Sequence, residues 1–409
     1  MAMTTQLKRV LTLPLLTLYG VGTTVGAGIY VLTGKVIEVA GVFAPLSFLA
    51  AACLAGLSAA SFAELSTRMP RSAGEALYVR EGLRMPRLSV VVGLLVAASG
   101  VISSAVLTKG FAGYLGLVLD WPAPVFTAIL LVGLVLLAIW GIREAVMVAA
   151  VITVIEVAGL LLVVWVARDG LMETGPWVDT LLDDTRQPAF ALLASGTVLA
   201  FFAFIGFEDM VNVVEEVRDV RRTMPRAIFL TLLITAFLYF VVSLVALLSV
   251  SGAALGKSDA PLADVYARAT GASPLPIVFI GTLAIVNGAL IQIIMGSRVI
   301  YGLAAQGQIP AGFASLHPSR RTPVVATLVV GGLVALLALF FPLETLARLT
   351  SVVVLSVFTL VNFSLVALKR RGGNAEPATF GVPLWVPLCG GIASAGLVVY
   401  QLAAFVSDA

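Results

Sequence analysis

A single histidine, His317, and two cysteines, Cys53 and Cys389, are too few for a clustered metal site or a thiol-based active centre. His317 stands beside Arg320 and Arg321 in a polar stretch, where a solvated loop residue is the plain reading. Both cysteines fall in apolar runs, so no disulfide framework is implied. Charge is scarce too: 11% of residues are Asp, Glu, Lys or Arg, against ~25% in soluble domains. A net charge of +3 says little as a total, and no nucleic-acid partner is expected. No linker or low-complexity stretch is long enough to mark a separate soluble domain. With no grouped nucleophile, base or metal ligand, an enzyme is not expected, and neither a metal nor an organic cofactor is called for.

What fills the chain is apolar. Hydrophobic residues make up 60%, and the mean hydropathy is +1.08, which marks a polytopic membrane protein surrounded by lipid. Since a helix needs about 20 apolar residues to cross the hydrocarbon core, the sequence divides into about eleven spans. The first five run from Leu11 to Val36, Val42 to Leu65, Leu88 to Val118, Pro122 to Gly141 and Ala145 to Val166. The next three run from Pro188 to Val214, Ile228 to Val250 and Leu275 to Ala305. The last three run from Pro323 to Phe341, Leu346 to Leu368 and Leu384 to Phe405. The first run is too long for a cleavable leader.

Alternate loops are basic: Lys8 and Arg9, then Arg68, Arg71, Arg80, Arg84 and Arg87, then Arg143. Arg218, Arg221, Arg222 and Arg226, then Arg320 and Arg321, then Lys369, Arg370 and Arg371 continue the series. The opposite loops carry Asp169, Glu173, Asp179, Asp183 and Asp184. By the positive-inside rule the N-terminus is cytoplasmic, and eleven spans leave the C-terminus outside, in a bacterial inner membrane. Trp121, Trp165, Trp177 and Trp385 stand near span ends as interfacial anchors.

The first span is interrupted by Gly20-Val21-Gly22-Thr23-Thr24-Val25-Gly26-Ala27-Gly28-Ile29-Tyr30. Each glycine costs a helix about 1 kcal/mol relative to Ala, and a broken helix leaves backbone groups unpaired unless protein or a wet cavity surrounds it. Two readings stand: Gly22 and Gly26 let a neighbouring helix approach, or the break binds something. A dinucleotide fingerprint is excluded, since it would need glycine at Val25 and a preceding strand. The sixth span holds a second interruption, Phe201-Phe202-Ala203-Phe204-Ile205-Gly206-Phe207-Glu208-Asp209. Spans one and six enter from opposite sides, five spans apart. Two interrupted helices at matching places in two halves point to an inverted repeat with a midplane site. The repeats occupy residues 1–170 and 188–371, with residues 372–409 adding a further spanning helix.

These residues resemble the amino acid–polyamine–organocation transporters. The likeness rests on Gly26-Ala27-Gly28-Ile29-Tyr30, on Pro70-Arg71-Ser72-Ala73-Gly74-Glu75-Ala76-Leu77-Tyr78, and on Ser297-Arg298-Val299-Ile300-Tyr301. Its closest part is the sixth span from Phe201 to Glu208, with Glu215-Glu216-Val217 and Pro225-Arg226-Ala227-Ile228 after it. The resemblance implies an all-α, LeuT-like five-plus-five inverted repeat. Helices one and six then line the substrate site and move against a scaffold of helices three, four, eight and nine. Members commonly have twelve or more spans, and this chain stops after eleven.

An amino acid asks for anion donors and cation acceptors a few ångströms apart. The first half of helix one ends in free carbonyls near Gly22 to Thr24, and the second half begins with the N–H groups of Gly26, Ala27 and Gly28. A helix N-terminus of that kind binds carboxylates. The outer half of helix six ends near Phe201 to Phe204, which offers carbonyls to an ammonium. The expected substrate lining is therefore Thr23, Thr24, Val25, Gly26, Ala27 and Gly28 with Phe201, Ala203, Phe204, Ile205 and Gly206. Phe204 and Phe207 flank the second break, as gate or as packing.

Glu208, just past the break, either touches the substrate directly or serves as a structural acid that caps freed N–H groups or gates, and the second reading is preferred. Glu156 stands in the middle of the fifth span, where an ionisable group is costly and functional by default. It is read either as a proton-coupling carboxyl or as a structural acid that is neutral or paired with Lys109, itself a snorkelling candidate. Some proton-coupled relatives resemble a lysine at the aligned position. In the eighth span Asn287, Gln292 and Ser297 are polar, but the neighbouring hydroxyl pair of sodium-coupled relatives is missing, which favours a proton over sodium.

The expectation is a secondary amino acid transporter that works by alternating access with a proton, its partners an L-amino acid and lipid and no obligate protein. An exchanger and a polyamine transporter remain open, as does a sensor built on the same fold. A channel would need a polar stripe or a charged ring, and neither is visible.

Overall fold

The computed structural model describes residues 7–116, 121–182, 189–258, 260–341, 343–371 and 380–407. Asp183, Asp184 and the Pro188 start of the sixth span lie outside them. The helices are α1 (Leu13–Ala40), α2 (Ala44–Arg68), α3 (Gly74–Leu83), α4 (Pro86–Gly116), α5 (Ala123–Trp140), α6 (Ile142–Val166) and α7 (Gly175–Leu182). Then come α8 (Ala189–Phe201), α9 (Val220–Ser249), α10 (Gly252–Lys257), α11 (Pro261–Thr270) and α12 (Leu275–Ala305). The last three are α13 (Val324–Phe340), α14 (Leu343–Arg370) and α15 (Trp385–Ser407). Among the described residues ten stretches are long and apolar enough to cross a membrane, and α13, with 17 residues, is a shorter eleventh.

Local chemistry sets the ends of these helices. Proline stands in the first turn of α1, α2, α5, α11 and α12, where its missing N–H is not needed. At the other end of α11, Gly271 takes the left-handed conformation (φ 67°) that closes a helix. The short polar helices α3, α7, α10 and α11 leave no hydropathy signal and are additions to the reading of the sequence.

Lipid supplies no hydrophobic drive between helices, so tight backbone approach and hydrogen bonds hold them together. Gly390 of α15 sits where a Cβ would meet Asn362 Oδ1 of α14 at 2.7 Å. Asn362 in turn donates to Ser58 Oγ (2.9 Å) and accepts from Ser61 Oγ (2.7 Å), both on α2. Buried Glu64 of α2 accepts from Arg68 (2.6 Å), from Lys369 of α14 (2.8 Å) and from the Val382 N–H (2.8 Å). These contacts fasten the additional C-terminal helix to α2 and α14.

The interrupted helix α1 is held at both ends. Before it, the Val10 and Leu11 N–H groups both donate to Glu216 O (2.9 Å each), and the Arg218 N–H donates to Leu11 O (2.9 Å). At the far end α10 lies so close that a Cβ on Gly34 would meet Leu255 O at 2.2 Å, and Lys35 donates to Gly256 O and to Glu38 (3.3 Å). Below the clip, fully buried Arg298 of α12 pairs with fully buried Glu216 at 3.3 Å.

Removing one partner of a buried pair strands the other charge, at a cost of about 3–5 kcal/mol. Glu216→Leu should lower the thermal midpoint of the purified protein strongly, and Glu216→Leu with Arg298→Leu should recover most of the loss. Equal midpoints for the single and the double variant would show that the pair is not a unit.

Candidate functional site

The break in α1 falls at Gly26, whose φ of 29° and ψ of −155° lie outside the helical region. Only glycine adopts such a backbone without strain. One turn earlier the Thr23 and Thr24 hydroxyls donate back to Tyr19 O and Gly20 O (2.8 Å each). Hydroxyls bonded back in this way favour a bend.

The glycines of this stretch divide the labour. A Cβ on Gly22 would meet Thr153 Oγ1 at 2.1 Å and Asn287 Nδ2 at 2.8 Å, so Gly22 serves helix packing. A Cβ on Gly26 meets nothing within 4 Å, and at Gly28 the nearest atom is Ala203 Cα at 3.9 Å. Gly26 and Gly28 therefore stand beside open space.

The second break follows α8. A short 3-10 turn covers Phe202–Phe204, Ile205 is extended (φ −64°, ψ 133°), and Gly206 takes φ 130° before the 3-10 stretch Phe207–Glu216 begins. Gly206 lies against the first break, since a Cβ there would meet Thr23 O at 2.9 Å. Glu208 Oε2 accepts the Gly206 N–H at 2.7 Å, which pairs a donor that the break frees.

One side chain clasps both breaks. The Tyr239 hydroxyl, from the middle of α9, donates to Thr24 O (2.7 Å) and to Ala203 O (2.9 Å), sharing one proton between them. Two carbonyls from helices far apart in sequence thus face a common point. Around it Val25, Phe201 and Ala203 are buried, while Thr23, Gly28, Phe202 and Ile205 keep partial exposure. Phe204 lies edge-on to the Tyr239 ring (4.9 Å between centroids). Phe207 packs away from that space, against Phe62 (5.9 Å) and Phe358 (5.4 Å).

Glu156 is buried beside the first break. Its Oε1 accepts from Asn287 Nδ2 (2.9 Å), which also reaches Thr153 Oγ1 (3.0 Å), and its main-chain O accepts from the Tyr30 hydroxyl (3.0 Å). Glu156 Oε2 and Asn287 Oδ1 are buried with no hydrogen-bond partner among the described residues. The pairing with Lys109, one form of the structural-acid reading, is not what the structure shows: Lys109 Nζ donates to Ala338 O of α13 at 2.8 Å. It sits near the end of α4, where a main-chain carbonyl in the last turn of a neighbouring helix is within reach. Of the other polar residues of α12, Gln292 donates to Asp209 Oδ2 (2.8 Å) and Ser297 accepts from Arg298 Nη1 (2.9 Å). Among the described residues no three His, Cys, Asp or Glu side chains are grouped as metal ligands.

Sequence reasoning passed over Tyr239 and the pairing of Arg298 with Glu216. A tyrosine in the middle of a span has a hydroxyl to satisfy, so its position was a usable signal. The pairing spans 82 residues, and nothing local announces it.

Comparison with known proteins then places the chain. Residues 11–407 match the amino acid permease family. The chain is 30% identical over 394 residues to the vacuolar cationic amino acid transporter 2 of Arabidopsis thaliana, covering 91% of this chain and 61% of that one. It is 31% identical over 407 residues to cationic amino acid transporter 4 of Homo sapiens (94% and 64% covered). It is 26% identical over 400 residues to the branched-chain amino acid permease BcaP of Bacillus subtilis (92% and 84%). The chain thus spans less than two thirds of the length of those two cationic amino acid transporters. In three dimensions it is similar to the crystal structure of MhsT in complex with L-phenylalanine, with a TM-score of 0.65 and 13% identity. That match covers 97% of this chain and 99% of the other, and the fold is LeuT-like.

Tyr239→Phe should leave Thr24 O and Ala203 O without their buried donor, a loss of about 1–3 kcal/mol. The purified variant should melt below wild type at every pH. A midpoint equal to that of wild type would mean that other donors satisfy both carbonyls.

Proposed function

Because the chain belongs to the amino acid permease family, we propose that it is a secondary transporter that carries one amino acid zwitterion per cycle by alternating access. The observation that carries this reading is the meeting of two helix breaks, at Gly26 and Gly206, with open space beside Gly26 and Gly28. The N–H groups of Gly26, Ala27 and Gly28 begin a half-helix and receive the carboxylate. The carbonyls of Thr24 and Ala203, which already converge on one hydroxyl, receive the ammonium. Thr23, Val25, Phe201, Phe204, Ile205 and Gly206 shape the remaining wall, and Phe207 and Glu208 fix the inner half-helix that moves away.

The coupling ion in this reading is the proton, and its carrier is Glu156. A neutral carboxyl there offers an O–H where Oε2 and Asn287 Oδ1 now lack a partner. The pair bridges α6 and α12 beside α1, so its protonation bears on whether α1 sits in place or swings out. Lys109 acts as an anchor to α13 and takes no part in coupling. The ends rich in arginine face the cytoplasm of a bacterial cell, with the membrane as the protein's surroundings.

Gly26→Val should fold and insert yet lose substrate affinity, because a branched side chain is strained at φ 29° and fills the approach to the amides. Thermal-shift titration with the twenty amino acids on wild type and variant reads this directly. Retained affinity in a folded Gly26→Val protein would sink the carboxylate site. Methyl esters and N-acetyl derivatives should not compete with the labelled substrate; putrescine competing as well as an amino acid would replace this reading with polyamine transport.

Glu156→Gln should keep binding and exchange but lose proton-driven accumulation. Uptake into proteoliposomes should rise as external pH falls for wild type and become flat for the variant. An unchanged pH dependence in Glu156→Gln would leave Glu156 as a structural acid and favour an uncoupled exchanger.

A further inference from the structure

The contact between Glu156 and Asn287 has a counterpart elsewhere in the molecule. Asn212, on the inner stretch after Gly206, donates its Nδ2 to Glu75 Oε1 of α3 at 2.9 Å. Glu75 is 1% exposed and Asn212 is fully buried. As in the first pair, the remaining atoms of the two groups, Glu75 Oε2 and Asn212 Oδ1, are buried acceptors with no hydrogen-bond partner among the described residues. Each shares its carbon with one atom of the pair already in contact. A single carboxyl proton answers both, because an acid O–H donates to the amide oxygen while the amide N–H donates to the acid carbonyl.

The surroundings favour a neutral acid. Glu208 and Asp209, on the same inner stretch as Asn212, stand close enough to Glu75 for their charges to be felt between them. Tyr78, one turn along α3, adds a buried hydroxyl with no hydrogen-bond partner among the described residues. The cations of the neighbouring elements are engaged or in solvent. Arg298 of α12 pairs with Glu216, Arg68 of α2 and Lys369 of α14 pair with Glu64, and Arg371 donates to Glu81 O. Arg80 pairs with Glu81, and Arg71, Arg84 and Arg87 are exposed. Burial pushes the Glu75 carboxyl up from 4.5 to about 7, with its own main-chain N–H and Asn212 pulling partly the other way.

We propose that Glu75 and Asn212 hold one exchangeable proton between them, a second proton site that joins α3 to the inner half of the sixth span. The site is distinct from Glu156 and owes nothing to what the chain carries. Given the alternating-access reading above, departure of the inner half-helix parts the pair and frees its proton toward the basic end. There a cavity of about 680 Å³, lined by Arg9, Arg71, Glu215 and Tyr301 among others, opens to solvent.

The test reads stability and the carboxyl itself, not transport. A carboxyl that holds its proton more tightly folded than unfolded favours the folded state fully below pH 4.5, and that contribution is lost as pH rises through about 7. Over that window the wild-type folding equilibrium should fall by roughly two orders of magnitude on account of Glu75. Glu75→Gln accepts from Asn212 Nδ2 and donates to Oδ1 at every pH. It should therefore melt with wild type at acid pH and above it at alkaline pH. The infrared band of a protonated carboxyl should fade in wild type as pH rises past neutrality, and Glu75→Gln should lack that component. A Glu75→Gln protein that melts below wild type at both extremes, or that keeps the full carboxyl band, overturns the proposal. So does a Glu75→Gln chain that fails to fold, since it carries every hydrogen bond assigned to the neutral acid. The comparison of Glu75→Gln with wild type holds whether or not Gly26→Val and Glu156→Gln behave as proposed, so the two readings fail separately.

Discussion

A helix interrupted inside a membrane must find partners for the N–H and C=O groups that it frees, and that requirement organises this molecule. The two breaks solve it mainly against each other and with a few polar side chains. Tyr239 answers Thr24 O and Ala203 O, Glu208 answers the Gly206 N–H, and Thr23 and Thr24 answer carbonyls of the turn before Gly26. Beside the first break, Gly26 and Gly28 adjoin open space.

The same requirement explains why so much polarity is buried in a chain this apolar. Glu64, Glu75, Glu156, Glu208, Asp209, Glu216 and Arg298 are all within the protein, and each meets a specific partner from another helix or from the break itself. Most of these contacts join the interrupted helices and their connecting segments to neighbours. Contacts of this kind favour discrete arrangements over gradual deformation, because a half-broken polar contact in low dielectric is costly.

Much of the architecture was legible in the order of residues. Eleven apolar stretches, arginine in alternate loops and glycines in spans one and six carry the fold class, because membrane thickness and backbone pairing leave few alternatives. The glycines were legible only as a group. That Gly22 packs and Gly26 breaks depends on Thr153 and Asn287, which lie over a hundred residues away. That Lys109 reaches Ala338 O and not Glu156 was not legible for a related reason: the rotation of a helix about its axis is not fixed by hydropathy alone. The helices α3, α10 and α11 escaped notice since short polar helices owe their form to what they pack on.

The two shortest spanning helices, α5 with 18 residues and α13 with 17, pack side by side, Gly331 of α13 against Val135 of α5. At 1.5 Å per residue each covers only about 25–27 Å, a few ångströms short of an average hydrocarbon core of ~30 Å. Their outer faces, with Ile129, Val132, Leu136, Leu328, Leu336 and Leu339, are turned to lipid. The Lys109 ammonium, fixed on Ala338 O, marks a polar depth at one end of that wall. Lipid tails along this flank must therefore shorten or tilt to meet the protein, a hydrophobic mismatch that thins the bilayer locally. Membrane thickness thereby acts selectively on one side of the molecule, the side formed by the fourth and ninth spans.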